Sequence, residues 1–320
     1  MSFVTKMALP VIALMMLAVA CGGAAAPTAA HQPTATAQPL AKIIEMPDQP
    51  GGIMPILATT VLRVGEQRVS FLLAGPKGII KAPSASVTPV FIGEARTDGG
   101  TNTPAARQAR FYLWPYGVRG SYVTRLDFDR PGRWRLNIEV ATEAGPTQTQ
   151  LDINVAETSV IPEIGSLPPT GDNKTLDTVP AIENLTTGSE PDPDLYRVTI
   201  DQAVKTGRPS VIVFATPAFC TSATCGPQVE AVVNLKNLHP GEANFIHVEL
   251  YDNPSEIKGD LSRAELVPFA QDWGFTTIPD WFNESWVFVL DNQGRIHQRF
   301  EGYTSVDELE EALAAAAAAA

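Results

Sequence analysis

The stretch Val211-Ile212-Val213-Phe214-Ala215-Thr216-Pro217-Ala218-Phe219-Cys220-Thr221-Ser222-Ala223-Thr224-Cys225-Gly226-Pro227 sets an apolar run before two cysteines five residues apart. The run is short, β-branched and uncharged, which predicts a buried strand over 210–215, and a helical pattern follows over 227–238. The cysteines thus lie where a strand hands over to a helix. A thiol at a helix N-terminus meets unpaired backbone N–H groups and the positive end of the helix dipole, which favour thiolate. Cys220 is accordingly the nucleophile candidate and Cys225 its partner. In regular helix, Cα atoms five residues apart are about 8.7 Å from one another, beyond the roughly 7 Å that a disulfide can bridge. The segment cannot be regular helix while bridged, and Pro227, favoured at a first helical position, predicts a helix that begins near it.

The third cysteine belongs elsewhere. Cys21 follows a segment with Lys6 as its positive start and an apolar stretch from Met7 to Ala20. About 14 apolar residues interrupted by Pro10 fall short of the roughly 20 needed to span a bilayer, so residues 1–20 read as a secretory signal. Leu17-Ala18-Val19-Ala20-Cys21 resembles the cleavage box of bacterial lipoproteins, which implies that Cys21 carries a lipid. The expected location is the extracytoplasmic side of the cell membrane, attached through that lipid, where disulfides persist. Cys220 and Cys225 then have only each other.

Composition divides the remaining chain. Residues 21–52 are mostly Ala, Thr, Pro and Gln without apolar periodicity and read as a disordered tether. Residues 157–194, with Leu167-Pro168-Pro169-Thr170-Gly171-Asp172 and Gly188-Ser189-Glu190-Pro191-Asp192-Pro193, read as a Pro-rich interdomain linker, a semi-rigid spacer. The 320 residues allow two cores at an apolar fraction of 44%. A net charge of −12 argues against nucleic acid, whose phosphates need clustered Lys and Arg. Membrane attachment must likewise come from acyl chains and not from a basic patch.

Between tether and linker, residues 53–156 alternate apolar and polar positions. Tyr122-Val123-Thr124-Arg125-Leu126-Asp127-Phe128 and Trp134-Arg135-Leu136-Asn137-Ile138-Glu139-Val140 flank Asp129-Arg130-Pro131-Gly132-Arg133, predicting a β-hairpin. Further strands are expected at 67–73, 86–92, 109–113 and 148–155. This block is similar to immunoglobulin-like accessory domains of secreted bacterial proteins, which implies an all-β sandwich. It holds no His or Cys and no catalytic constellation, and Trp114 and Tyr116 are candidates either for a partner-binding loop or for turn packing.

Residues 195–320 alternate strand and helix patterns: strands at 210–215, 244–251, 286–290 and 295–301, helices at 227–238, 264–273 and 306–319. Val248-Glu249-Leu250-Tyr251-Asp252-Asn253-Pro254, the pair Trp273-Gly274 and the turn Asp291-Asn292-Gln293-Gly294 after a strand, together with the cysteine-bearing stretch, resemble the thioredoxin-like superfamily. The fold class expected is therefore a two-domain chain, an immunoglobulin-like sandwich followed by an α/β thioredoxin-like domain. The resemblance implies a thiol–disulfide oxidoreductase acting on extracytoplasmic proteins with thiols or disulfides. In it Cys220 attacks, Cys225 resolves, and Ser285 and Trp286 bind the substrate backbone. Ser285 stands where the family has a cis-proline, with Pro279 the other candidate, and the family's buried acid beneath the dithiol is missing at Val213 and Phe214. Glu249 and Asp252 read as a solvated strand end.

Three other readings compete. A peroxidase of the peroxiredoxin type needs Pro-x-x-x-Thr/Ser-x-x-Cys, but Val213 and Pro217 stand at those positions. A copper chaperone needs a histidine near 283–285, where none occurs, and His239, His247 and His297 read as structural. No cofactor loop or metal set is apparent, because no glycine-rich phosphate motif follows a strand. The remaining alternative is a non-enzymatic binding or assembly module in which Cys220–Cys225 is a structural staple, worth about 2–3 kcal/mol for so short a loop.

Overall fold

The computed structural model describes residues 52–93, 105–115, 119–169, 171–220, 224–278 and 285–319. The lipidation site Cys21, the signal at 1–20, nearly all of the tether, Tyr116 and Pro279 lie outside them.

Alternation makes strands in the first block, but they assemble differently from the expected sandwich. Among the described residues eight strands are formed: β1 (Met54–Leu57), β2 (Gly65–Gly75), β3 (Gly78–Ile79), β4 (Ser84–Phe91), β5 (Arg107–Leu113), β6 (Gly120–Phe128), β7 (Gly132–Thr142) and β8 (Gly145–Val155). They join one antiparallel sheet in the order β1-β2-β6-β5-β4-β7-β8, with β3 paired to β2. The sheet curls until its ends nearly meet. Val64 N–H donates to the Ala156 carbonyl at 3.0 Å and Ala156 N–H to Leu62 at 2.9 Å, while the Thr149 hydroxyl donates to the Ile53 carbonyl at 3.1 Å. Two facing sheets are thus replaced by one barrel-like wall around a single core, and the immunoglobulin-like sandwich is corrected to that.

The predicted hairpin between β6 and β7 is also absent. β6 pairs with β2 and β5, and β7 with β4 and β8. Both strands aim their large side chains inward: Tyr122, Leu126 and Phe128 on one, Trp134, Leu136, Ile138 and Val140 on the other, all buried in one cluster. Phe128 and Trp134 meet edge-on at 5.2 Å across the core, and the indole N–H of Trp134 reaches the Arg130 carbonyl at 3.1 Å. Burying both apolar faces against each other outweighs side-by-side pairing, so the Pro-Gly turn becomes a corner.

A second, smaller sheet follows, in the order β10-β9-β11-β12: β9 (Ser210–Ala215), β10 (Asn244–Glu249), β11 (Trp286–Leu290) and β12 (Ile296–Glu301). β10 runs parallel to β9, β11 antiparallel to β9, and β12 antiparallel to β11. Among the described residues there are four α-helices: α1 (Ile200–Ala203), α2 (Cys225–Leu238), α3 (Pro254–Ile257) and α4 (Val306–Ala318). One face of the sheet packs on α2 and α4. The other carries an aromatic cluster of Phe214, Trp273, Phe275, Trp286 and Phe288, covered by short turns.

The helix predicted over 264–273 does not form. Pro268 removes a backbone donor and restricts the residue before it, and the chain makes single 3-10 turns at Pro268–Ala270 and Phe275–Thr277 instead. The molecule is mostly β, with a barrel-like sheet and a small second sheet. The α/β thioredoxin-like domain expected from the sequence is therefore corrected: among the described residues two of the four helices are single turns, and one sheet face has no helical layer.

Residues read as a spacer are packed. Ile161 and Leu185 are buried, Arg299 donates to the carbonyls of Ile161 and Pro162 at 2.8 and 2.7 Å, and Gly165 N–H donates to Ile296 at 2.7 Å. This segment edges the second sheet.

Candidate functional site: the Cys220–Cys225 disulfide and the buried strand beside it

β9 ends at Ala215, and a short loop carries the chain to Cys220. α2 begins at Cys225 itself, two residues before the predicted start. Cys220 lies outside the helix, which brings the two Cα atoms to 5.8 Å and lets the cysteines form a disulfide. Their surroundings differ. Cys225 is fully buried in the core that holds α2 and α4, whereas Cys220 is only partly buried. The Cys225 backbone N–H donates to Cys220 Sγ at 3.3 Å, and the Thr224 hydroxyl lies 3.8 Å from the same sulfur. After reduction those groups and the N-terminus of a 14-residue helix would stabilise a thiolate at Cys220.

The loop before Cys220 is held by a segment that the sequence reading left as spacer. Thr187 accepts the Ala218 N–H at 3.1 Å on its hydroxyl oxygen. The same hydroxyl donates to Glu249 Oε2 at 2.8 Å, and Thr187 N–H donates to that oxygen at 2.8 Å. Leu250 N–H donates to Glu249 Oε1 at 3.1 Å. Glu249 is 4% exposed. Burial pushes its carboxyl up to about 7, against the opposing pull of the Thr187 amide and hydroxyl and the Thr216 hydroxyl. A single carboxyl that changes charge near neutrality is thereby tied, through one threonine, to the loop that presents Cys220.

His247 precedes Glu249 on the same face of β10. Its Nδ1 accepts the Tyr196 hydroxyl at 2.6 Å, and its Nε2–H donates to the Ala215 carbonyl at 3.3 Å. These partners fix the neutral Nε2–H tautomer, and burial pushes the imidazole down to about 4. Both residues line a cleft of about 500 Å³ beside β10, with Lys174, Tyr251 and Phe269. Tyr251, one of its lining residues, meets the ring of Phe219, the residue before Cys220, edge-on at 6.1 Å.

Glu249 is the group that sequence reasoning missed. Its signal was its setting, a lone acid inside Phe245-Ile246-His247-Val248-Glu249-Leu250, where strict alternation is absent and both strand faces are buried. Ser285 and Trp286, expected to meet substrate, are buried at 0% and 2% exposure. The Ser285 carbonyl is taken by Gly302 N–H at 2.9 Å. The structure thus brings Cys220 and Cys225 together and sets Ser285 and Trp286 inside the protein. Trp114, a partner-loop candidate, is buried, with its indole N–H on Ser121 Oγ at 3.2 Å and its ring 6.2 Å from Tyr303. His239 pairs with Glu242 at 2.9 Å and Glu310 at 3.4 Å.

No protein-family model and no curated protein matches this chain. Among solved structures, the PKD domain of human VPS10 domain-containing receptor SorCS2 is 18% identical, covering 34% of this chain and 76% of that one, at a TM-score of 0.19. MtrC from Shewanella baltica OS185 is 10% identical, covering 76% of this chain and 51% of that one, at a TM-score of 0.25. Scores this low mark partial overlaps and establish no shared fold. No helix among the described residues is long and apolar enough to cross a membrane.

Proposed function

We propose that the Cys220–Cys225 pair exchanges thiols and disulfides with other proteins on the extracytoplasmic side of a membrane, to which lipid on Cys21 attaches the chain. The observation that carries this reading is the asymmetry of the disulfide: Cys220 only partly buried just before a helix start, Cys225 fully buried. An incoming substrate thiolate attacks Cys220 Sγ, the Cys220–Cys225 bond breaks, and Cys225 leaves as a thiolate that takes up a proton. A second substrate thiolate then attacks the substrate sulfur of the mixed disulfide and displaces Cys220 as thiolate. Two electrons pass from the substrate dithiol to the cysteine pair, and the reverse sequence reduces a substrate disulfide. Phe219, partly buried beside Cys220 and backed by the Tyr251 ring, offers an aromatic contact for the substrate chain, and Glu249 sets the charge beneath the loop.

The test is the reduction potential of the pair, read by thiol alkylation across a redox buffer series. Exchange predicts a value between roughly −120 and −270 mV, the span of known exchange catalysts. A value below about −300 mV would identify a structural staple and remove the redox reading in favour of a binding or assembly module.

A further inference from the structure

The turn that carries Cys220 hangs on a buried carboxyl. Ala215, the last residue of β9, stands opposite Glu249 in the β9–β10 ladder, so Glu249 lies in register with the root of that turn. Within residues 216–219, Pro217 has no N–H to give, and Phe219 N–H is spent on the Thr216 carbonyl at 3.1 Å. The Ala218 N–H reaches outward instead and meets the Thr187 hydroxyl oxygen at 3.1 Å. Thr187 directs both its N–H and its O–H to Glu249 Oε2, each at 2.8 Å. Carboxyl, threonine and amide thus form one chain of hydrogen bonds that ends two residues before Cys220.

Every group in this chain donates toward Glu249, and hydrogen bonds to an ionised acceptor are roughly twice as strong as neutral ones. The charge is held by these bonds and not by a cation. On β10 itself, His247 is neutral between Tyr196 and the Ala215 carbonyl. The turn that bears Tyr196 also carries Asp192, which is paired with Lys236 of α2 at 2.9 Å. Across the cleft, Lys174 pairs with Asp252 at 2.9 Å, while Asp172, Asp272 and the Tyr251 phenol complete the titratable lining. β9 contributes the uncharged Thr216. Burial in these surroundings raises the Glu249 carboxyl to about 7, so its proton comes and goes near neutrality.

We propose that Glu249 is a positioning residue for exchange at Cys220: its carboxylate, acting through Thr187, holds the Ala218 amide and with it the turn that carries Cys220, and a proton taken up by the carboxyl slackens that hold. This role rests on the exchange reading of the cysteine pair. A held turn keeps Cys220 Sγ on the Cys225 N–H at 3.3 Å, where that donor meets the negative charge the sulfur takes on when a substrate leaves it. The first readout is amide hydrogen exchange at Ala218, followed by NMR on the full oxidised chain and corrected for the intrinsic rate at each pH. Its protection should fall about five-fold or more between about pH 8 and pH 6. The second is the rate at which dithiothreitol reduces the disulfide, expressed per thiolate of the reagent, which should fall several-fold over the same interval. Thr187→Val keeps the β-branch and removes the hydroxyl, so Ala218 should exchange freely at both pH values and reduction should stay at the slower rate. Thr187→Ser returns the hydroxyl and should return both steps. Ala218 protection that ignores pH, a Thr187→Val chain that keeps the step in rate, or reduction that speeds up as the proton binds would each overturn the assignment, the last two by showing that the charge acts through space and not through the turn. Ala218 protection is read with no exchange partner present, which separates failure of this hold from failure of the exchange reading, decided by the reduction potential.

Discussion

His247 and Glu249 sit two residues apart on one face of β10, and their titrations pull stability in opposite directions. The carboxyl of Glu249 is raised from 4.5 to about 7 on folding. The folded protein therefore keeps that proton after the unfolded chain has lost it, and stability falls as pH rises from about 4.5 to 7. The imidazole of His247 is lowered from 6.5 to about 4. The unfolded chain gains that proton first as pH falls, so this contribution is complete above 6.5 and is lost toward 4. Between about pH 4.5 and 6.5 the two slopes nearly cancel, and Glu249→Gln should expose the histidine alone. At about 1.4 kcal/mol per pH unit per proton, urea unfolding of the variant should show a gain of about 2 kcal/mol from pH 5 to 6.5 where the parent is nearly flat. Parallel profiles for variant and parent would show that Glu249 does not titrate in this range. The cysteines differ in the same local way. After mild reduction, alkylation followed by mass spectrometry should label the partly exposed Cys220 at least ten-fold faster than the buried Cys225, and equal rates would contradict the asymmetry on which the proposed exchange rests. The pair was legible because Cys21 belongs to the signal segment, which leaves Cys220 and Cys225 only each other. The burial of Glu249 was not, because it depends on Thr187, which lies 62 residues away in a stretch that composition marks as linker.

Strands and long helices were legible as elements, since each rests on local periodicity. The strands over 210–215 and 286–290 have the predicted bounds, and α2 and α4 are within two residues of theirs. Pairing was not legible, because a period of two fixes which side chains share a face and not which strand lies alongside. β6 and β7 show this, sharing a core while remaining unpaired. The 264–273 segment fails for a different reason: its apolar residues Val267, Ala270 and Trp273 suit a helix, but Pro268 and the aromatic cluster favour turns. Gly274 completes those turns at φ +79°, and a Cβ there would drive into the Val160 carbonyl oxygen. Gly274→Ala combines a strained backbone with that clash and should cost about 2–4 kcal/mol. Because Val160 belongs to the segment edging the second sheet, limited proteolysis should cut within 157–169 in the variant and spare it in the parent. Destabilisation below about 1 kcal/mol with no new cleavage would mean that the segment is not seated against this turn.

At the scale of the whole molecule, buried charged side chains bridge the two sheets. Arg68 on β2 forks onto Glu308, the residue that also completes the capping box of α4 with Ser305, and its guanidinium lies 5.6 Å over the Phe300 ring. Glu301, at the end of β12 and 5% exposed, takes the backbone N–H groups of Thr60 and Val61. None of this was visible in the sequence, where the partners are some 240 residues apart and each charge reads as an ordinary polar position on a strand or helix. Buried ion pairs contribute little net stability against an apolar substitute, but removing one partner leaves a charge or several N–H groups stranded. Glu301→Ala strips the acceptor from both amides and the Thr60 hydroxyl while leaving each sheet's own core intact, so its cost of about 2–4 kcal/mol falls on the junction. Calorimetry should then show the parent unfolding in one transition and the variant in two, the small sheet and the curled sheet melting apart. If the variant melts in a single transition at the parent's Tm, the sheets are coupled by something other than Glu301, with Arg68 and Glu308 the pair to remove next.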